Sequence, residues 1–383
     1  MTATLDEFTI GAKLGQGLTA KVYWAKKDDG RDYALKVFKH DNPLFNRESF
    51  ARIQSEFQLS ADLNNENVVK FHGFRAEAMM QKPNKSYRVS YIIQELITGG
   101  ELYDYVENSG FFKPEFVRYF SSQILKGVLF MHSKGVVHRD LKCSNILLDN
   151  EYKIKIVDLG FAKPVTGDQG TGLMQSLVGT QDHMAPQIHE GRAYRGSEVD
   201  LFAVGVIIFT LYAGHPPFDI AKQDDAFYKW LHYGQAREFW ARHEKYHSAG
   251  FFDPKFKELM TLMLSYHPTN RPTIADIIAH PWLREGPVAS EQDIREELCE
   301  RERVNKEKVA QAKQNSQKSR RDVELEQDPY QAQRELEEIE NELQDYQIRE
   351  FDTDFAVKRM TTLFSLKEPL ILFREVKRAL RKE

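Results

Sequence analysis

Cysteine is almost absent from this chain: its 383 residues include two, Cys143 and Cys299. Two distant thiols make no disulfide framework, so a reduced intracellular compartment is expected, the cytoplasm first and the nucleus second. A surplus of one charge is also missing. The net charge of −4 and pI near 6.3 give no reason to expect affinity for nucleic acid. The start, Met1-Thr2-Ala3-Thr4-Leu5-Asp6-Glu7, lacks the basic-then-apolar order of a secretory signal, so none is expected. The longest apolar run, Leu201 to Ala213, falls short of the roughly 20 residues of a membrane span and predicts a buried helix. No Asp-x-Asp-x-Asp-Gly loop occurs, which argues against direct calcium sensing.

The length exceeds the roughly 250 to 300 residues at which a single core stops growing, so one large domain with an extension is expected. The most informative stretch is His138-Arg139-Asp140-Leu141-Lys142-Cys143-Ser144-Asn145, followed 13 residues after Asn145 by Asp158-Leu159-Gly160. This spacing sets a proton acceptor and two metal-binding groups at fixed separations, as phosphoryl transfer requires. One Asp takes the proton of the incoming hydroxyl, while an Asn and a second Asp hold magnesium on the nucleotide phosphates. Upstream, Gly15-Gln16-Gly17-Leu18-Thr19-Ala20-Lys21-Val22 supplies a glycine-rich turn between strands. Ala20 adds only a methyl group at the third glycine position, so it is expected to tune affinity without abolishing binding. Tyr33-Ala34-Leu35-Lys36 follows on a β-type run.

Together these motifs resemble the eukaryotic protein kinases, and the resemblance runs from Phe8 to about Leu283. It implies an α+β, two-lobed fold, with a small β-rich N-lobe carrying one regulatory helix at about 8–96 and a large, mainly helical C-lobe at about 101–283. It implies ATP and Mg2+ as cofactors and proteins with serine or threonine acceptors as substrates. Lys36 would hold the α and β phosphates, with Glu56 as its partner in preference to Glu48. Asp140 would be the catalytic base, Lys142 would stabilise the transferred charge, and Asn145 and Asp158 would bind metal. Leu14, Gly15, Gly17, Val22, Ala34, Leu147 and Val157 would surround the nucleotide. Gln94 would be the gatekeeper, the Glu95 carbonyl and Ile97 amide would meet the adenine edge, and Glu101 would meet the ribose or a basic substrate residue. Lys142 and the pair Gly179-Thr180 favour serine or threonine acceptors over tyrosine, with Thr180 orienting Asp140. Asp200 would hold the catalytic-loop backbone, and Arg271 matches a late structural arginine. Gly99-Gly100-Glu101-Leu102-Tyr103-Asp104 and His280-Pro281-Trp282-Leu283 look most like the calcium/calmodulin-dependent kinase group.

The pattern of residues predicts strands over about Phe8 to Phe38, a helix around Ser49 to Leu63, strands around Val68 to Gly73 and Val89 to Leu96, and an exposed loop from Met79 to Ser86. Helices are expected from Glu101 onward. In the segment Asp158 to Gln187, the polar middle Thr166 to Gly172 buries little and is expected to be mobile. A phosphate on Ser176 would pair with Arg139 and order this segment.

Several positions depart from the family pattern. Leu159 stands for Phe and keeps an apolar plug. Gln187 stands for the Glu that pairs with Arg271, His183 for Tyr, and Cys143-Ser144 for Pro-Glu, which puts a preference for basic substrates in doubt. Ser60 stands where an apolar residue is expected. These changes favour one alternative, an ATP-binding pseudokinase or scaffold. A second rival is a zinc protease, because His243-Glu244-Lys245-Tyr246-His247 followed by Asp253 has metal-site spacing on a helix. Against it, the simpler expectation is two exposed histidines on a charged segment.

After Leu283 the composition turns charged, and 284–330 is expected to be a solvated helix or linker. Within 331–383, Ala332, Leu336, Ile339, Leu343 and Tyr346 recur at heptad-like spacing, and Lys358 to Ser365 resembles the start of a kinase-associated C-terminal domain. Phe373, Val376 and Leu380 among Arg374, Lys377, Arg378, Arg381 and Lys382 predict a basic amphipathic end. Calmodulin, an acidic membrane and the catalytic domain itself are its candidate partners.

Overall fold

The computed structural model describes residues 3–17 and 19–307. The heptad-like positions, the stretch Lys358 to Ser365 and the basic amphipathic end lie outside the described residues. The described chain forms a β-rich N-terminal part followed by a helical C-terminal part.

Six strands build the first part: β1 (Ala3–Leu5), β2 (Phe8–Gln16), β3 (Ala20–Lys27), β4 (Asp32–Lys39), β5 (Phe71–Lys82) and β6 (Lys85–Glu95). They pair antiparallel in the order β2, β3, β4, β6, β5, and β1 bridges β2 to the far end of β5. Successive side chains of a strand point to opposite faces. One face therefore buries Leu5, Phe8, Ile10, Tyr23, Leu35, Val37, Met80, Val89 and Tyr91. The other carries Val22, Ala34, Lys36 and Gln94, brought side by side by the pairs Val22 with Lys36 and Ala34 with Gln94.

The loop expected over Met79 to Ser86 is a correction. The ladder continues through Met79 with Arg88 and Met80 with Tyr87 to Lys82 with Lys85, leaving only Pro83 and Asn84 for the turn. The outer face of this hairpin is mostly polar and its buried positions are few, which hid its alternation. Helix α1 (Arg47–Ser60) starts two residues earlier than expected, because Asn46 caps it: its side chain accepts from the Ser49 amide at 2.9 Å, and its amide donates to Ser49 Oγ at 2.8 Å.

The helical part holds α2 (Leu102–Ser109), α3 (Pro114–Ser133), α4 (Pro186–His189), α5 (Gly196–Ala213), α6 (Tyr228–His232), α7 (Ala236–His243), α8 (Pro254–Met263), α9 (Ile274–Ala279), α10 (Pro281–Arg284) and α11 (291–307). Short strands β7 (Val136–Val137), β8 (Ile146–Leu148), β9 (Ile154–Ile156) and β10 (Lys163–Pro164) fix the loops between α3 and α4. The apolar run read from Leu201 belongs to the longer α5, whose 18 residues would suffice for a membrane span by length and composition. It is 89% buried inside the fold and is a core helix.

The zinc-protease reading is overturned. Helix α7 ends at His243 and a tighter turn follows from Glu244 to Tyr246, so the two histidines share no helical face. His243 is not exposed as expected but buried, with Nε2 3.1 Å from the Pro217 carbonyl, while His247 Nε2 meets His215 Nε2 at 3.3 Å. Glu244 pairs with Lys257, and Asp253 caps α8.

Arg271 is buried beside α4 and α5. Its Nη2 donates to Gln187 Oε1 at 2.9 Å, and its Nε donates to the Ser265 carbonyl at 2.9 Å. With no carboxylate in contact among the described residues, burial pulls its guanidinium down to about 10. The Gln187 amide nitrogen is itself buried without a partner among the described residues. Gln187→Glu would remove that orphan donor and set a counter-charge against Arg271. It is expected to stabilise the fold by about 1 to 3 kcal/mol, seen as a higher midpoint in thermal or urea unfolding.

Candidate active site

The site lies where the loops after β7 and β9 meet the inner face of β3, β4 and β6. Asp200, buried on α5, organises it. Its carboxylate accepts from the His138 amide at 2.9 Å, the Arg139 amide at 2.7 Å and His132 Nε2 at 2.9 Å. Burial alone would raise this carboxyl, but the bond and attraction of His132 outweigh it and hold the acid below its ordinary range. With two successive amides pinned, Arg139 adopts φ of 66°, a left-handed conformation that its neighbours must enforce.

That turn brings Asp140 to the surface of the cleft. The Thr180 hydroxyl donates to Asp140 Oδ1 at 2.7 Å and accepts from Lys142 Nζ at 2.8 Å; Lys142 Nζ is also 3.2 Å from Asp140 Oδ2. Gly179 makes the approach possible. Its φ of +113° suits glycine, and a Cβ there would stand 2.8 Å from the Arg139 carbonyl. Asn145 is bound back into the same loop, its Nδ2 donating to the Asp140 carbonyl at 2.8 Å. The intervening Cys143 is buried, and burial pushes its thiol up to about 12, which leaves it inert as a nucleophile.

Asp158 is the second residue of the site in the left-handed region, with φ of 61°. Its Oδ1 lies 2.7 Å from Lys36 Nζ, and the same ammonium lies 2.7 Å from Glu56 Oε1. Lys36 therefore bridges β4, α1 and the loop after β9. Burial works against its charge, yet the two carboxylates prevail and raise its proton affinity. Burial pushes the Glu56 carboxyl upward, an effect Lys36 offsets only in part. Asp158, drawn down to about 2 mainly by Lys36, stays ionised. Glu48, the other candidate partner, lies in the first turn of α1, far along the helix from Glu56.

The donor set fits a hard cation. The contacts of Asp158 among the described residues, from Lys36 and the Gly160 amide, fall on Oδ1. Those of the Asn145 side chain fall on its nitrogen. One carboxylate oxygen and one amide oxygen are thus left for a metal, which suits Mg2+ completing its shell with phosphate and water.

The slot beside these groups has the expected lining. Ala34 and Gln94 are buried, Val22, Ile97, Leu147 and Val157 are half-buried, and Leu14 is half exposed at the rim. Gly15 pairs with Val22, and the Gly17 amide closes the turn on the Ala20 carbonyl at 2.9 Å. The connection to the helical part is tied to β8: Glu101 bridges to Leu147, and the Gly99 amide donates to the Leu148 carbonyl at 2.8 Å. Burial, with Asp104 and Glu107 nearby, pushes the Glu101 carboxyl upward. The Glu95 side chain is engaged elsewhere, with Lys155 and the Lys70 amide.

In the segment from Asp158 to Gln187 the polar middle buries little, as expected, and is also internally hydrogen-bonded. Thr166 to Gly172 closes on itself through Gly172 N to Thr166 O, Asp168 N to Leu173 O and an Asp168 to Lys163 ion pair at 2.6 Å. Glycines at positive φ allow this turn without buried apolar groups. Arg139 reaches the segment: Nη1 donates to Ser176 Oγ at 2.6 Å, and Nε donates to the Phe161 carbonyl at 2.8 Å. The motif reading missed three partners. His132 completes the grip on Asp200, the His138 side chain reaches the Val157 carbonyl at 2.9 Å, and the Tyr194 hydroxyl donates to the Ser176 carbonyl at 2.8 Å. None belongs to a local pattern, except that His138 opens the loop motif.

Residues 8–283 match the family model described as the protein kinase domain. Among curated proteins, CBL-interacting serine/threonine-protein kinase 13 of Arabidopsis thaliana is 32% identical over 283 residues, covering 74% of this chain and 52% of the relative. Serine/threonine-protein kinase chk1 of Schizosaccharomyces pombe is 34% identical over 289 residues, covering 74% of this chain and 55% of the relative. The chain thus spans about half the length of these relatives. By the extent of the domain match and the arrangement around Asp140, Lys36 and Asp158, the chain belongs to the protein kinase family, on the side of the calcium/calmodulin-dependent group.

Proposed function

We propose that the protein is an ATP- and Mg2+-dependent serine/threonine kinase that transfers the γ-phosphoryl group to protein hydroxyls. The observation that carries this reading is Lys36, held at 2.7 Å from both Glu56 and Asp158. It joins the phosphate-binding strand to the metal-binding loop across the cleft. Mg2+, when bound, neutralises phosphate charge, and Asn145 and Asp158 hold it. Asp140 accepts the proton of the incoming hydroxyl. Thr180 and Lys142 hold its two carboxylate oxygens, Oδ1 and Oδ2, and Lys142 also faces the negative charge that develops on the transferred group. Glu95 and Ile97 address the adenine edge beside the gatekeeper Gln94, and Glu101 meets the ribose or a basic substrate residue. The free thiols of Cys143 and Cys299 accord with the reducing cytoplasm proposed as its location.

Phosphorylation of Ser176 is part of the proposal. Arg139 already points its guanidinium at the Ser176 hydroxyl, so a phosphate there would gain a charge-assisted pair and tighten the segment that carries Thr180.

Phosphate incorporation from Mg-ATP into a generic serine/threonine acceptor tests the reaction. Asp140→Asn is expected to lower kcat by roughly 10² to 10⁴-fold while Mg-ATP still binds. Wild-type protein that binds Mg-ATP but transfers nothing would favour the scaffold alternative. For the regulatory step, phosphatase treatment is expected to reduce the activity of the wild type and leave Ser176→Ala unaffected. Equal activity of both proteins before and after treatment would remove Ser176 from the mechanism.

A further inference from the structure

Helix α11 lies beyond the matched domain, yet it is built into the described unit. Ser290 and Asp293 cap its start, the Ser290 amide donating to Asp293 Oδ2 at 2.9 Å and the Asp293 amide to Ser290 Oγ at 3.2 Å. Ile294 and Leu298 then enter the core of the helical part. One turn later, Arg301 and Glu302 meet α2 and the chain that leads into it.

Arg301 closes the end of α2. Its Nη1 donates to the Tyr105 and Gly110 carbonyls at 2.9 and 2.8 Å, and its Nη2 donates to the Phe111 carbonyl at 2.8 Å. The guanidinium carbon stands 3.9 Å from the Phe112 ring centre, and Glu297 accepts from Nε at 2.8 Å. The planar fork thus has most of its donors satisfied by fixed backbone carbonyls.

Glu302 acts on the neighbouring side chain. Its Oε1 lies 2.7 Å from the Tyr105 hydroxyl and 3.2 Å from the Tyr152 hydroxyl. The Tyr105 oxygen is in turn 3.0 Å from the Gly99 carbonyl, so its single proton is divided between two acceptors, the carboxylate and the connecting chain. Gly99 stands two residues after Ile97 and two before Glu101, within the stretch assigned to the nucleotide. It has no freedom on its other side: a Cβ there would fall 2.5 Å from the Asp149 carbonyl and 2.6 Å from that of Leu148. On the α11 side, a cavity of about 130 Å³ borders Gly99, Gly100, Tyr105, Arg301 and Glu302. The glycine pair is tied to β8 by Gly99 N to Leu148 O at 2.8 Å and Leu148 N to Gly100 O at 2.9 Å, and on the cavity side the Tyr105 hydroxyl is the polar contact that meets the Gly99 carbonyl.

We propose that Tyr105, held by Glu302 and Arg301, is a positioning residue that sets Gly99 and the adjoining chain for nucleotide binding, so that the segment after the catalytic domain completes the ATP site. This rests on the ATP-dependent reading above. Arg301 fixes the backbone of Tyr105, Glu302 fixes its hydroxyl, and Gly99 receives the result.

Steady-state kinetics on the full chain, with a serine/threonine acceptor at saturation, separate the effect from simple stabilisation. Tyr105→Phe keeps the ring and its packing. Together with Glu302→Ala, it is expected to raise KM for Mg-ATP roughly three- to tenfold while kcat stays within about twofold. The double variant is expected to match the worse single variant. Glu302→Gln, which still accepts from the hydroxyl, is expected to recover most of the wild-type KM. Arg303→Ala, on the outer face of α11, is expected to leave KM unchanged. Unaltered KM in Tyr105→Phe and Glu302→Ala, with or without a lower melting temperature, would overturn the inference. A wild type that binds no Mg-ATP would overturn both the inference and the function on which it rests.

Discussion

The catalytic loop depends on one buried carboxylate. Asp200 receives two adjacent backbone amides and one imidazole, a set that no water could replace inside the core of the helical part. A buried charge with this many donors keeps its ionisation, and losing any of them would leave it undersolvated. Its partners are consecutive, so the backbone between them cannot relax, and the left-handed turn at Arg139 follows. From that turn, the Asp140 side chain faces Thr180 and Lys142, while the Arg139 side chain faces Ser176. One anchor on a core helix therefore sets the direction of both the Asp140 carboxylate and the Arg139 guanidinium.

The second constraint is electrostatic. Two carboxylates share a single ammonium in the Lys36, Glu56 and Asp158 cluster, leaving it one negative charge in excess. Lys36 and Glu56 are the more enclosed members, their side chains 13% and 3% exposed, whereas Asp158 keeps 46% of its side-chain surface. Interactions between charges weaken where water has access, so the enclosed pair acts as the fixed half of the cluster. Asp158, open and held in the ionised form, is the half that can turn to a cation. On the proposed reading this arrangement would suit uptake of Mg2+ with a polyanionic nucleotide, because an incoming positive charge would relieve an imbalance already present.

The site was legible in the sequence wherever its chemistry sits on short, ordered motifs. Lys36, Asp140, Lys142, Asn145 and Asp158 meet in the cleft because each motif carries its own turn or strand. Glu56, selected by counting along a helix, lies against Lys36 as well. Long-range partners left no such trace. His132 closes a helix, Tyr194 sits in a loop, and Tyr105 looks like one aromatic residue among many; only the fold brings each to its partner. The β5–β6 hairpin was misread for a related reason, since its outward side chains are polar and its buried ones are spread along twelve residues. His243 was misread because burial of a histidine depends on the aromatic neighbours that receive it, here Phe227 and Phe239, with ring centres 4.7 and 4.5 Å away.

Three polar departures from the family pattern meet different fates, one satisfied by hydrogen bonding and two only in part. Ser60, in an apolar setting, turns its hydroxyl back onto the Glu56 carbonyl at 2.7 Å and so carries no unmet polar group. It does so one turn beyond Glu56, on the helix that must hold that carboxylate still. Gln187 keeps a bond to Arg271 but supplies no charge, so the arginine sits in the core with only neutral acceptors. His183 leans on Asp182 at 2.9 Å while its Nε2 finds no partner among the described residues. The deficits at Gln187 and His183 fall in the segment that carries Thr180, and they concern how firmly that segment is held, since the bond from Thr180 to Asp140 is intact. The arrangement of Thr180 on Asp140 is thus kept while two buried polar atoms nearby lack partners among the described residues. Under the proposed phosphorylation of Ser176, a phosphate facing Arg139 would add a charge-assisted bond in this same segment.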